Sequence, residues 1–200
     1  ALVANAKKLG FRMALHEHYT DYYPNYPGFT DSEIAYGTDG SQIHAWFNPG
    51  TKIRSFAVKP TDILKLAQGQ GAQIESLYHS NACYLDVFSA VPPWFHVDYT
   101  AGTPGAGEFS TVWDTHRALW AYERKLHNGP VFGEGNDHWY WSGYLDGVEA
   151  QFGRGWPSGD GTDAPLLVDF DLLKIHPLQF NHGMGYYERW WSQGPNGNRS

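Results

Sequence analysis

Ionisable residues recur at the ends of short apolar runs in this 200-residue sequence. His16-Glu17-His18 follows residues 11–15 (FRMAL), and Asp86 sits late in residues 82–88 (ACYLDVF). Glu134 closes residues 131–133 (VFG), and Asp169 sits late in residues 166–170 (LLVDF). In parallel α/β folds the reactive groups gather at the C-terminal ends of the strands, so four such placements would ring one crevice. Asp86, between Leu85 and Val87, is costly to bury unless it is paired or functional; the structural alternative is an aspartate that caps loop amides. Glu134 lies between Gly133 and Gly135, where small neighbours let a substrate approach. Trp139 and Trp141 nearby would desolvate it and raise its pKa, and the alternative is a solvated turn glutamate. A carboxylic acid and a carboxylate on adjacent strands are what glycosidic cleavage requires. One protonates the leaving oxygen while the other attacks or stabilises the oxocarbenium-like centre.

The histidines support a rival chemistry. His16, His18, His79, His96, His116, His138 and His182 are all possible metal ligands. A His-x-His pair after an early strand resembles a metal-dependent hydrolase, with Asp169 completing the site. His-x-His on an extended strand is a weak motif, however, because alternate residues serve equally well as donors to sugar hydroxyls. Cys83, in the same buried run as Leu85, reads as inert core. A third reading is a non-catalytic sugar-binding module. It predicts a β-sandwich with alternating polar and apolar strands, whereas these runs are continuously apolar.

The elements that must position these groups read as helix, buried strand and long polar loop in alternation. Residues 1–9 form a helix end with Gly10 as its stop, and residues 11–15 a strand. Residues 19–59 are a long aromatic excursion without a helical period. Pro60-Thr61-Asp62 opens a helix to about Gln70. Residues 82–88 form a second strand. After a Pro- and Gly-rich loop, Ser110 is an N-cap for a helix over residues 111–126. Trp113, Leu119, Trp120 and Tyr122 fall on more than one face of that helix, which predicts burial on more than one side. Residues 131–133 give a third strand ending at Glu134, and residues 166–170 a fourth. Residues 192–200 read as a loose tail. Buried strands separated by helices predict a parallel sheet. A closed (β/α) barrel takes roughly 250 residues, so the expectation is a partial (β/α)8-type TIM barrel in one α/β domain over residues 1–200. A doubly wound open sheet finds no Gly-rich phosphate loop to support it.

Composition narrows the partners. The formal charge of −7 is scattered without basic clusters, which argues against nucleic acid. No apolar run approaches the roughly 20 residues of a membrane span. With Cys83 the one cysteine, no internal disulfide forms and the redox compartment stays open. Nine Trp, thirteen Tyr and eleven Phe are the unusual feature, many of them in polar, Gly-rich contexts such as residues 139–143 (WYWSG). An aromatic ring with a polar handle suits the apolar face of a sugar, so the composition leans toward a carbohydrate or glycan partner.

Residues 11–26 (FRMALHEHYTDYYPNY), 82–98 (ACYLDVFSAVPPWFHVD) and 128–135 (NGPVFGEG) resemble the barrel core of endo-α-N-acetylgalactosaminidase-type glycosidases. The α-galactosidase clan is a looser match. The resemblance implies a retaining hydrolase of α-linked galactose or N-acetylgalactosamine-type sugars. Asp86 would be its nucleophile and Glu134 its acid/base, and the chemistry needs no cofactor, although some such enzymes carry structural calcium in accessory regions. It makes His16, Asp21 and Trp141 sugar contacts; His18, Trp94, Trp139 and Asp169 complete the expected substrate-binding set. The sequence departs from the pattern by starting near the third strand and lacking a clear final strand after Trp191. Missing staves would leave open sheet edges, which other segments or self-association would have to cover.

Overall fold

A computed structural model describes residues 1–135 and 137–149. The expected strand over residues 166–170, Asp169, His182, the tail over residues 192–200 and the Trp139 side chain lie outside the described residues.

Helix α1 (Leu2–Lys8) closes through Phe11 N–H on the Ala6 carbonyl, with Gly10 at φ +82°. Strand β1 is Ala14–Glu17, three residues later than the sequence suggested. Phe11 is exposed, and Met13 N–H is taken by the Asn81 side chain at 2.7 Å, so the ladder starts only where Ala14 meets Ala82. His16 and Glu17 are therefore inside the strand rather than beyond it. Because strand side chains alternate, they point to opposite faces of the sheet.

The excursion over residues 19–59 folds as an antiparallel sheet in the order β2 (Asp21–Tyr22), β4 (Ile53–Ala57), β3 (His44–Asn48). The β3–β4 turn is held by Asn48, whose side chain accepts the Gly50 and Thr51 N–H groups. Such a bond is how asparagine builds a turn on its own backbone. The strands are short and a register shift falls between His44 and Phe47, which erases a clean two-residue alternation.

Helix α2 (Pro60–Tyr78) runs eight residues past Gln70 and ends where His79 turns left-handed at φ 51°. Gly71 does not break it, because the helix packs closely there. A Cβ at this position would meet Leu126, the Tyr19 hydroxyl and Glu17 Oε2 at 3.1–3.2 Å. Strand β5 (Ala82–Leu85) stops one residue before Asp86. Helix α3 (Phe109–Leu126) is capped at Glu108 rather than Ser110, with no side-chain cap hydrogen bond. It buries Val112, His116, Leu119, Trp120 and Glu123, which form a single face, so the burial on more than one side that the spacing predicted is not found; Trp113 and Tyr122 flank that face and are only partly buried. Strand β6 (Val131–Glu134) ends at Glu134 as expected. Strand β7 (Gly147–Glu149) was not foreseen, being three residues with a single apolar side chain.

The main sheet is all parallel, in the order β1-β5-β6-β7. Helices α2 and α3 pack on each other and cover one face, over a core of Ile63, Ala67, Cys83, Leu85, Leu119, Trp120, Val131 and Trp141. The architecture is α/β with four parallel strands among the described residues; a closed barrel is not formed by them. The β-sandwich that a sugar-binding module would have required is absent among the described residues. No described helix is long and apolar enough to cross a membrane.

Candidate active site

Strand ends β1, β5 and β6 bring the expected carboxylates together. Asp86 follows the last residue of β5, and its N–H continues the ladder by donating to the Glu17 carbonyl at 3.0 Å. Val87, next in the chain, has φ +70°. A β-branched residue in that region is a genuine outlier and stores strain. The unusual turn aims Val87 N–H at Glu134 Oε2, which accepts it at 3.1 Å. The Glu134 carboxylate is thereby tied to the backbone directly after Asp86. Ser89 fastens the same corner by donating to the Glu134 carbonyl at 2.6 Å. Gly133 is small for this reason: a Cβ there would lie 2.1 Å from Ser89 Oγ. The glycine accommodates Ser89, not an incoming substrate as the sequence had suggested.

Asp86 is surrounded by donors. Its Oδ2 lies 3.4 Å from His16 Nε2 and 4.0 Å from His18 Nδ1, and the Tyr84 hydroxyl donates to Oδ1 at 3.3 Å. Burial alone would raise the Asp86 pKa, but the His16 hydrogen bond, the His18 and His16 charges and the Tyr84 hydroxyl outweigh it. The carboxyl is held below its ordinary value and is ionised at neutral pH. His18 in turn meets Asp21: its Nε2 is 3.0 Å from the Asp21 carboxylate and 3.0 Å from the Asp21 N–H. Burial raises the Asp21 pKa as well, and again the His18 contact, helped by Trp46 N–H and Ser55, brings it below the ordinary range. Trp46 N–H donates to Asp21 Oδ1 at 3.3 Å. The line Asp86, His18, Asp21, Trp46 thus joins the parallel sheet to the antiparallel one.

Solved structures share this architecture. An α-N-acetylgalactosaminidase from Bifidobacterium bifidum in complex with GalNAc matches at a TM-score of 0.60, with 16% identity over 74% of this chain and 22% of that one. A quadruple mutant of that enzyme matches at 0.65, with 16% identity over 82% and 26%. An α-galactosidase from Thermus thermophilus in complex with stachyose matches at 0.50, with 16% identity over 74% and 30%. The described part of this chain shares the fold of the corresponding part of these α-glycosidase structures. This chain spans about a quarter of the length of the structures it matches. No protein-family model and no curated protein matches the sequence.

Against that fold, the expected substrate-binding residues divide. His16 and His18 converge on Asp86, and Asp21 reaches it through His18. Trp94 is half exposed on a 3-10 turn (Pro93–His96), its ring edge-on to Tyr140 at 5.4 Å. Trp141 is a correction. It is wholly buried, stacked on Trp113 at 4.5 Å and edge-on to Trp120 at 4.5 Å, so its indole builds the helix–sheet core and presents no face to a sugar. His96 and His116 are core rings too, 5.0 Å apart, and burial holds the His96 pKa down at about 4. His79 ends α2, 3.4 Å from Glu75.

The rival metal reading also shifts. His16 and His18 face Asp86, and His18 also meets Asp21, but among the described residues they do not belong to a closely spaced group of metal-type donors. Among the described residues, the group with metal-ligand atoms close together is Glu17, Cys83, Glu123 and His127. Sequence reasoning missed that group because its members are spread over β1, β5 and the end of α3. Trp46 was missed as well, its loop giving no periodic signal. Its 54% exposure beside Asp21 is visible only once the hairpin is built.

Proposed function

We propose that this chain carries the catalytic corner of a retaining α-glycosidase acting on α-linked galactose or N-acetylgalactosamine-type sugars. The single observation that supports the reading is the Val87 bridge: Glu134 is hydrogen-bonded to the amide that directly follows Asp86. In this reading Asp86 attacks the anomeric carbon, and its depressed pKa keeps the nucleophile ionised. Glu134 protonates the leaving oxygen, then removes a proton from the water that releases the sugar. His16, His18 and Tyr84 hold the Asp86 carboxylate in place. Asp21, Trp94 and Trp46 line the approach as polar and aromatic contacts for sugar hydroxyls and ring faces. The sugar class follows the printed activities of the fold neighbours, an α-N-acetylgalactosaminidase and an α-galactosidase.

The test uses the intact protein that contains this chain, with p-nitrophenyl α-galactoside and α-N-acetylgalactosaminide as substrates. Glu134→Gln should be slow on both, and azide should restore turnover with an α-glycosyl azide as product. Asp86→Gly with azide should instead give the β-glycosyl azide. The opposite anomers would exchange the two roles, and wild-type turnover in both variants would remove the assignment altogether.

A further inference from the structure

The other face of the same sheet holds a second cluster that the proposed glycosidase chemistry does not use. Glu17 and Cys83 alternate with His16 and Tyr84 along β1 and β5, so they point away from Asp86 into the layer covered by α2 and α3. There they meet Glu123 on α3 and His127 at its C-terminal end. All four residues are buried, Cys83 and Glu123 completely. Their donor atoms, two carboxylate oxygens, a thiol sulfur and an imidazole nitrogen, lie within 4.8 Å of one another. His127 Nε2 is 2.8 Å from Glu17 Oε1 and 3.3 Å from Glu123 Oε2.

We propose that Glu17, Cys83, Glu123 and His127 form a buried four-donor site for a divalent cation of the zinc class, which ties α3 to the sheet. Three observations carry it. The first is the donor set. Thiolate, imidazole and carboxylate together select zinc-like ions, whereas calcium and magnesium take oxygen alone. Tetrahedral zinc with bonds of roughly 2.0–2.3 Å sets its donors roughly 3.3–3.8 Å apart, so the His127–Glu17 pair at 2.8 Å would open slightly and the wider pairs would close. The second is an orphan. Among the described residues neither buried oxygen of Glu123 has a hydrogen bond of good geometry: Oε2 has only the His127 contact at 3.3 Å, and Oε1 has no ion-pair partner. Among the described residues no lysine or arginine is ion-paired with the cluster, and one histidine faces two buried carboxylates. A carboxylate buried without compensation is costly enough that a proton or a cation must answer it.

The third is the outer layer. Ser80 Oγ lies 2.8 Å from His127 Nδ1, which leaves Nε2 directed at the cluster. The Tyr19 hydroxyl donates to Glu17 Oε2, the oxygen turned away from His127. Metal-bound histidines and carboxylates are commonly oriented by partners of this kind.

The experiment is cobalt and zinc titration of the full chain after chelator treatment and dialysis. One equivalent of Co2+ should bind with the absorption of a tetrahedral ion and a near-ultraviolet thiolate-to-cobalt band. Zinc should displace it and raise the Tm by several degrees. Cys83→Ser should lose the thiolate band, and Glu123→Gln should weaken binding at least tenfold. His16→Asn, on the opposite face, should change neither. The proposal is overturned if no stoichiometric ion is retained, or if binding persists unchanged in both Cys83→Ser and Glu123→Gln. It is likewise overturned if Glu123→Gln raises the Tm of the metal-free chain while zinc has no effect, since Glu123 would then be a protonated acid in a metal-free network. These readouts do not involve glycoside turnover, so failure of this site and failure of the glycosidase reading are separable.

Discussion

Adjacent residues on one strand enter two opposite electrostatic regimes. His16 and Tyr84 face the open end of the sheet, where Asp86 is partly exposed and ringed by donors. Glu17 and Cys83, each one residue away, face the helix layer, where two carboxylates are closed off from water. At the front, burial is outweighed by the His16 hydrogen bond, the His18 and His16 charges and the Tyr84 hydroxyl, which push Asp86 below its usual pKa. At the back, burial penalises charge, and Cys83, Glu123 and Tyr19 are all pushed upward. The difference teaches that the two-residue period of a strand decides chemistry as well as burial. A single step along the chain separates a group facing the donor-ringed Asp86 from one closed into the helix layer.

The largest effect that sharpens this contrast is on the front. On the proposed glycosidase reading, Asp86→Asn should lower turnover by several orders of magnitude in the intact protein while moving Tm little, because only a charge is removed from a partly solvated position. Steady-state kinetics beside a thermal melt checks it. If Asp86→Asn lost most of its stability rather than its turnover, Asp86 would be a structural residue and the contrast between the faces would disappear.

The back face should behave in reverse. His127→Ala leaves Glu17 and Glu123 without their cationic partner in a closed layer, a change of the kind that costs about 3–5 kcal/mol. Chemical denaturation of the full chain should register that loss. A loss below about 1 kcal/mol, the range of surface pairs, would mean the cluster is wet and the two faces alike.

The contrast also predicts an acid transition. His96 is buried, its Nε2 has no hydrogen bond, and burial lowers its pKa from 6.5 to about 4. The neighbouring His116 is lowered in the same direction, first by burial and then by the His96 charge. A group whose folded pKa is depressed contributes in full above its unfolded pKa. Its stability is lost as pH falls, here between about 6.5 and 4, by an amount on the order of 3 kcal/mol for His96. Asp86 loses its ion-pair contribution only at still lower pH, because its folded pKa is below 3.8. Stability measured against pH should therefore decline first through the core rings, and His96→Phe should flatten that decline between pH 6.5 and 4.

How much of this was legible in the sequence depended on how local the signal was. Asp86 and Glu134 stood out because each interrupts or closes a short apolar run, and the structure brings those run ends together. The parallel α/β architecture followed from the same runs. Trp141 was misread because an indole in a Gly-rich stretch looks like a loop platform. Its burial depends on Trp113 and Trp120, which arrive from α3, more than twenty residues earlier in sequence. The β1 boundary slipped because Asn81 claims the Met13 amide, a contact 68 residues away in sequence. The back cluster was invisible for the same reason. Cys83 read as core, which it is, but its companions Glu17, Glu123 and His127 are assembled only by packing α3 on the sheet.

Trp46 gives the smallest and most discriminating prediction. Its backbone N–H is fixed on Asp21, while its ring is more than half exposed beside the line of groups leading to Asp86. An aromatic face stacked on a sugar contributes on the order of 1 kcal/mol beyond its buried area. Trp46→Ala should therefore raise KM several-fold for an extended glycan, with kcat nearly unchanged. A p-nitrophenyl monosaccharide, too short to reach the hairpin, should be hardly affected. Uniform binding lost at a distance from the reacting carbon gives that signature, whereas a disturbed Asp21 contact would lower kcat for both substrates. The ratio of the two KM changes thus reports whether the antiparallel sheet is an extension of the front face or only a brace for it.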